Sequence, residues 1–221
     1  MKLIKTIIIL LLLTGCNTTV NTTPVLITEE KQPDYALLRT ELEEIYDIDQ
    51  NIRNIDWDTL SSPEASIAYS MKMMAIDSVN QTRILPIIEQ YGWLPKSNIG
   101  EKAADGIFLV VQHSNLRTIE KYLPQMEALV REGEADALDA AMMRDRLLSF
   151  QGKKQIYGTQ ANNMVRGDGS IVIWPIEDAE NVNKRRKEVG FTTTVEENAK
   201  RLRAAYDPNE KLPKKNNNAQ H

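Results

Sequence analysis

The chain has 221 residues, of which 26% are charged, and a formal net charge of -4 at pH 7. This mildly acidic balance argues against a general nucleic-acid binder, which needs clustered positive charge to displace counterions from phosphates. The length allows one domain with a substantial core. The single cysteine excludes an internal disulfide.

The start of the chain has the order of a bacterial lipoprotein signal. It combines a basic start, a short apolar run and a small-residue ending: Lys2, Lys5, residues 7–13 and Leu13-Thr14-Gly15-Cys16. The run is too short to span a bilayer as a helix. The ending resembles the lipobox of bacterial lipoproteins, which implies that residues 1–15 are removed and that Cys16 carries the lipid. An ordinary cleaved signal or a short uncleaved anchor is the alternative.

The predicted mature chain has polar ends and one domain between them. Residues 16–33 lack a periodic pattern and predict a flexible tether, while residues 207–221 are rich in Pro, Lys and Asn and predict a disordered polar tail. Residues 34–206 are therefore predicted to form a single mainly helical domain. Asn17 rather than Asp follows the cysteine, which favours the outer membrane. The signal has two lysines and no acidic residue, so its removal leaves a net charge near -6.

Hydrophobic periodicity predicts helices over residues 34–54, from Pro63 to about residue 80, and over 83–91. In the first of these, apolar residues recur at intervals of three and four and form a core-facing stripe: Leu38, Leu42, Ile45, Ile48 and Ile52. Ser62 is the expected cap of the second helix. The apolar side chains of this helix are also expected to pack in the core: Ile67, Met71, Met73, Met74 and Ile76. We interpret its methionines as flexible core residues rather than metal ligands.

The middle of the chain predicts a helical bundle. Residues 101–114 are apolar on nearly every side, which favours a buried central helix. Two further helices are predicted over 119–132 and 135–151, separated by Gly133.

The pattern changes after residue 152. Segments 155–165 and 170–176 flank an Asp-Gly pair, which predicts a β-hairpin, and Pro175 places the second strand at an edge or at its own end. A helix over 179–189 should follow. Thr194 with Glu197 forms a capping-box pattern that begins a last helix, which extends to about residue 206. The overall prediction is a mainly α protein: a helical bundle with one small C-terminal antiparallel β-hairpin, α+β at the margin.

Several short motifs occur in a fixed order along the chain. They are Asp49-Gln50-x-x-Arg53, Gly92-Trp93-Leu94-Pro95, Gln112-His113, Asp145-Arg146, Tyr157-Gly158-Thr159-Gln160, Ile176-Glu177-Asp178 and Asn183-Lys184-Arg185-Arg186-x-x-Val189-Gly190-Phe191. Together they resemble an uncharacterised bacterial domain family with DQxxR, GWP, QHAD and YGTQ signatures. The resemblance spans about residues 38–191 and implies an architecture and a site, without an assigned activity.

Two departures from the family pattern bear on mechanism. Leu94 interrupts the GWP motif, and His113-Ser114-Asn115 stands where the family has His-Ala-Asp. The amide of Asn115 can form hydrogen bonds, but it cannot accept a proton at neutral pH or bring negative charge to a metal. A catalytic role for that position is therefore in doubt.

The Gln112-His113 pair is the sharpest feature of the sequence, because it ends the most apolar segment and only His221 is a further histidine. An unpaired buried polar group costs about 1 to 3 kcal/mol, so this pair needs partners. We expect other motif residues to converge on it and form a polar pocket: Asp49, Gln50, Arg53, Asp145, Arg146, Tyr157, Thr159 and Gln160.

Three functions fit such a pocket. The first is binding of a small polar ligand, a peptide or a glycan fragment, with the ligand-binding residues Gln50, Arg53, Gln112, Arg146, Tyr157, Thr159 and Gln160. The second is a hydrolase in which His113 is the general acid or base, Asp49 or Asp145 orients it, and Arg53 or Arg146 holds an anionic group. The third is a structural lipoprotein whose motifs form a satisfied buried network.

Cofactors and partners are predicted only in part. No cofactor is expected, and zinc is disfavoured because the mature domain has neither a second internal histidine nor a free cysteine. The expected partners are a membrane, through Cys16, and an envelope-derived polar ligand, with no nucleic acid. Trp93 and Trp174 favour core filling over ligand stacking, and the basic run at residues 184–187 favours a solvated helix face over an anion site.

Overall fold

Helices dominate the computed structural model, which describes residues 32–55, 60 and 62–213. The predicted signal, nearly all of the tether and residues 214–221 of the tail lie outside the described residues. Across the described part of the chain, no helix is both long and apolar enough to cross a bilayer.

The described residues form eight α-helices and one small sheet. The helices are α1 (Tyr35–Arg53), α2 (Pro63–Tyr91), α3 (Lys96–Ile99), α4 (Glu101–Gln112), α5 (Leu116–Glu132), α6 (Ala137–Phe150), α7 (Val182–Glu188) and α8 (Val195–Arg201). Strands β1 (Ala161–Asn162) and β2 (Val172–Ile173) are antiparallel, with Ala161 opposite Ile173 and Asn162 opposite Val172. A 3-10 turn (Ala179–Asn181) precedes α7. The predicted fold class is confirmed.

The core is built around α4, as its apolar sequence predicts. Ile107 and Val111 of α4 are fully buried against Leu42 and Ile45 of α1 and their neighbours. Gly106 allows α1 and α4 to approach closely, since a Cβ atom at this position would lie 2.6 Å from the carbonyl oxygen of Leu42. A side chain there would force the two helices apart.

Helix α2 differs from its prediction in two ways. It runs through Pro86 as one helix, and Asn80, where we expected a helix to end, is buried one turn before the buried Ile84. The expected core packing of the first turns is wrong. Arg53, the last residue of α1, meets Asp77, which lies 14 residues after the start of α2, and from the earlier turns Tyr69 reaches back to donate to the carbonyl oxygen of Ile52. The side chains of Ile67, Met71 and Met74 are 61%, 66% and 69% exposed.

The hairpin is much shorter than predicted. Each strand has only two residues, and the Asp-Gly pair lies in the long loop between them. The reason is visible before β1, where the N–H groups of Ile156, Tyr157 and Thr159 donate to the carboxylate of Asp145 instead of to a neighbouring strand. The backbone donors that a longer ladder needs are thus already used.

The C-terminal part carries the predicted capping box of Thr194 and Glu197 at the start of α8. This helix ends at Arg201 rather than near residue 206, because the chain then extends and Ala205 exchanges backbone hydrogen bonds with the β2 region. Beyond residue 206, where we expected a solvated tail, Glu210 pairs with Arg166 at 2.5 Å and Leu212 packs beside the hairpin.

The basic run on α7 is only in part the solvated face that we expected: Lys184 and Lys187 are exposed, whereas the two arginines between them are not. Arg186 is 1% exposed, donates to the carbonyl oxygens of Thr193 and Tyr157, and lies over the ring of Phe191. Arg185 donates to the carbonyl oxygens of Ile156 and Glu177. These two arginines therefore hold loops together. Trp93 and Trp174 are buried, in agreement with core filling.

Candidate functional site

Four side chains from three helices meet near the C-terminal end of α1. Asp49 and Arg53 lie one turn apart on α1, Asp77 lies on α2, and His113 is the first residue after α4. Arg53 donates from Nη1 to Oδ1 of Asp49 at 2.8 Å and from Nη2 to Oδ1 of Asp77 at 2.6 Å. One guanidinium thus bridges carboxylates of two helices. Asp49, Arg53, Asp77 and His113 are called the His113 cluster below.

His113 is held by Asp49. Its Nδ1 lies 3.2 Å from Oδ1 of Asp49, which assigns the ring proton to Nδ1 and leaves the lone pair of Nε2 free to accept. Burial lowers the pKa of His113, and the charges of Arg53 and Arg146 lower it further, against the opposing effect of Asp49. The imidazole is therefore neutral at pH 7.

Asp49 stays ionised although it is only 1% exposed. Burial by itself raises the pKa of this carboxyl, but the hydrogen bond from His113, the charge of that ring once acid protonates it, the charge of Arg53 and the amide of Gln50 together lower it. Gln50 donates from Nε2 to Oδ2 of Asp49 at 2.9 Å. The carboxylate thus accepts hydrogen bonds from three side chains.

Two polar side chains beside the His113 cluster lack full partners. Arg146 on α6 is largely buried, its Nε has no hydrogen-bond acceptor, and no carboxylate lies within 4 Å of it among the residues that the structure describes. Burial and the charge of Arg53 lower the pKa of Arg146 to about 10, opposed by Asp77. Gln112 is 4% exposed, and its Oε1 has no donor.

The His113 cluster reaches the surface. The side chains of His113 and Asp77 are each 17% exposed, and that of Arg53 is 20% exposed. An open cleft of about 430 Å³ adjoins Arg53 and is lined by Gln50, Asn51, Arg53 and Asn54. A small molecule in this cleft would touch the guanidinium that bridges the two carboxylates.

Asp49, Asp77 and His113 each place a ligand atom within 4.8 Å of the others, a spacing that a metal ion can use. However, the guanidinium of Arg53 already lies on both carboxylates and supplies their positive charge. A metal would have to displace this arginine, so the donor set fits an ion-pair network better than a metal centre.

The remaining expected site residues form a separate network around Asp145. This fully buried carboxylate accepts from the N–H groups of Ile156, Tyr157 and Thr159 and from the Thr159 hydroxyl. Burial raises the pKa of Asp145, and these donors oppose the rise. Asp145 therefore holds the loop, while Asp49 orients His113.

Tyr157 and Thr159 belong to the network of Asp145, whereas Gln160 links it to the His113 side. Gln160 donates to the Thr159 hydroxyl at 2.9 Å, and its Nε2 shares the carbonyl oxygen of Met142 with Nε2 of Gln112, each at 3.5 Å. Met142 lies one turn before Arg146 on α6. Of the expected residues, the structure thus gathers Asp49, Gln50, Arg53, Gln112, His113, Arg146 and Gln160.

Asp77 is a cluster member that the sequence reasoning missed. Its only sequence signal is that Arg53, at the end of a helix, needs a carboxylate from a neighbouring element. Asn115, by contrast, lies outside the cluster and caps α5 by accepting from the N–H of Thr118. Aspartate caps helices as well as asparagine does, so the departure from the family pattern at this position leaves the cluster unaffected.

A second cavity, of about 150 Å³, is lined in part by Trp93 and Phe108 and does not include His113. One lysine, Lys96, and four carboxylates line it as well: Glu101, Asp105, Asp136 and Asp139. Burial and the charges of Asp105 and Asp136 raise the pKa of Asp139 to about 7. This group is consequently half-protonated near neutral pH.

The chain belongs to a family of unknown function, DUF6624, which matches residues 33–211. The match spans every described helix from α1 to α8 and agrees with the resemblance to an uncharacterised domain family. No curated protein and no solved structure matches the chain.

Proposed function

We propose that the domain binds a small polar ligand at the His113 cluster, with Gln50, Gln112, Arg146 and Gln160 beside it. The observation that carries this proposal is the incomplete pairing of Arg146 and Gln112 next to an accessible histidine. Leaving such buried atoms unpaired costs about 1 to 3 kcal/mol each, which a bound ligand would recover.

The two polar networks of this domain support the proposal by contrast. Asp145 has a donor for each oxygen, as a purely structural carboxylate should. Around His113, the buried Oε1 of Gln112 and Nε of Arg146 have no partner within the part of the chain that the structure describes. A network that served only packing would gain by pairing them.

Thermal unfolding across a panel of envelope metabolites, glycan fragments, short peptides and divalent metals tests the proposal. Gln112→Met removes the unpaired amide with little change of volume, and Gln90→Met, on the exposed side of α2, is its control. We expect a compound that raises the melting temperature of the wild type and the control but not of Gln112→Met. A Gln112→Met protein that responds fully would contradict the proposal.

A hydrolase is the second candidate, favoured by the contact between Asp49 and His113. In this mechanism Nε2 of the neutral His113 takes a proton from water as the water oxygen attacks, and then returns it to the leaving group. Arg53 or Arg146 would stabilise the developing oxyanion. His113→Gln should then abolish turnover of a bound compound while leaving its binding intact, whereas a pure binder shows no turnover in either protein.

For its location, we propose that the domain is tethered to the cell envelope, in the outer membrane, by acyl chains on Cys16. The lipobox-like ending and the lone cysteine support this. Several acyl chains give stable anchoring. Cells that express the protein and are labelled with a palmitate analogue should incorporate label into the wild type and not into Cys16→Ser. Equal labelling would contradict the proposal.

A further inference from the structure

Among the described residues, Arg146 differs from the neighbouring arginines in having no counter-ion. Arg53 is paired with Asp49 and Asp77, and Arg144, on the same helix as Arg146, is paired with Glu127. The guanidinium of Arg146 has no carboxylate within 4 Å in the described chain, although it is largely buried and its Nε has no acceptor there. A guanidinium can be held this way only at a cost, because burial removes the water that solvates its charge.

We propose that the ligand presents an oxyanion, a carboxylate or a phosphate group, to Arg146 beside Arg53. This inference rests on the proposed ligand-binding function and specifies the chemistry of the ligand. The planar fork of a guanidinium matches two oxygens of either group. Bound there, the oxyanion supplies both the missing acceptor for Nε and the missing negative charge.

The amide-lined cleft indicates what the rest of the ligand looks like. Gln50, Asn51 and Asn54 line it together with Arg53 and offer both donors and acceptors. Hydroxyl or amide groups would pair with them better than a hydrocarbon chain would. The ligand class is therefore a small polar organic acid or phosphate ester.

The charges around His113 couple binding of an anion to protonation of the His113 ring. In the His113 cluster taken together with Arg146, the carboxylates of Asp49 and Asp77 balance the two guanidiniums, so these groups have no net charge when His113 is neutral. A bound monoanion leaves one excess negative charge. The charged groups that face His113 are Asp49 and Arg53 from α1, Asp77 from α2 and Arg146 from α6. An anion on the two arginines weakens their repulsion of a ring proton. Protonation of His113 should therefore accompany binding.

The test uses nuclear magnetic resonance of the mature full chain carrying His221→Gln, so that His113 gives the only histidine ring signal. The pKa of His113 is measured in sodium chloride, sodium acetate and sodium phosphate at equal ionic strength. We expect acetate or phosphate to raise this pKa and to bind more tightly as the pH falls. The arm that responds distinguishes a carboxylate ligand from a phosphate ligand.

Two variants assign the effect to Arg146. Arg146→Met should lose the response to both anions, and Arg144→Met, which removes a paired arginine of the same helix, should keep it. The wild-type titration is decisive even if Arg146→Met fails to fold. The oxyanion inference is overturned if neither anion moves the His113 signal, or if Arg146→Met responds as the wild type does. If neither anion acts while a neutral compound of the ligand panel binds, the inference fails and the proposed binding function stands.

Discussion

Replacing Arg146 by methionine should stabilise the protein in the absence of ligand. Burial lowers the pKa of Arg146 from its ordinary value to about 10. Since one pKa unit corresponds to about 1.4 kcal/mol, the fold disfavours the charged guanidinium by at most about 3 kcal/mol. Neutral pH lies far below both values, so this cost is fully present at pH 7.

The substitution also removes the packing contacts of the guanidinium, which offsets part of this stabilisation. We therefore expect a net increase of about 1 to 2 kcal/mol in the free energy of unfolding. For a domain of this size the melting temperature should rise by about 3 to 6 °C. Scanning calorimetry of wild type, Arg146→Met and the control Arg144→Met checks this. A loss of stability in Arg146→Met larger than in Arg144→Met would refute the reasoning and make Arg146 a structural residue.

Three further predictions concern the rest of the domain. Because the pKa of Asp139 is raised from 3.8 to about 7, the folded state favours its protonated form, and wild-type stability should fall as the pH rises from about 4 to 7. Asp139→Asn should remove that pH dependence, and its free energy of unfolding should exceed that of the wild type by about 1 to 3 kcal/mol at pH 8 but not at pH 4. Thermal unfolding measured across this pH range checks this, and identical pH dependence in the two proteins would contradict it. Asp145→Asn should cost about 2 to 4 kcal/mol in urea unfolding, because the new amide N–H₂ would face backbone donors. Hydrogen exchange at the backbone N–H of Thr159 should also become faster. An unchanged exchange rate would show that Asp145 does not hold this loop. Gly158→Ala should cost about 2 to 4 kcal/mol in urea unfolding, since the added Cβ would lie 2.6 Å from Val195. The control Gly167→Ala, at a similar positive φ but with open space around it, should cost only about 1 kcal/mol. Similar losses in the two variants would contradict the close packing at Gly158.

Much of the helical fold can be predicted from the sequence, because apolar periodicity depends only on which face of a helix meets the core. The stripe on α1, the buried α4 and the capping box of α8 all follow from local spacing. The exposed start of α2 cannot be predicted this way. Its apolar residues have helical spacing, but α1 ends too early to cover them, and helix lengths relative to one another are a property of the assembled bundle.

The candidate site is predictable in part for a similar reason. The i,i+4 spacing places Asp49 and Arg53 on one face of α1, and a buried histidine needs a partner. Which carboxylate forms the hydrogen bond with His113 depends on tertiary packing. Asp49 forms it, while Asp145, which its motif makes an equal candidate, binds the backbone of the loop before β1 instead. Asp77 and the missing counter-ion of Arg146 likewise appear only when the helices are assembled.

The most direct test of a ligand site at Arg146 compares the melting temperatures of wild type and Arg146→Met, each with and without added acetate or phosphate at equal ionic strength. We predict that the variant melts higher without these anions and that only the melting temperature of the wild type rises when one of them is added. A variant that melts lower without them, or that gains as much as the wild type with them, would contradict the claim that Arg146 belongs to a ligand site.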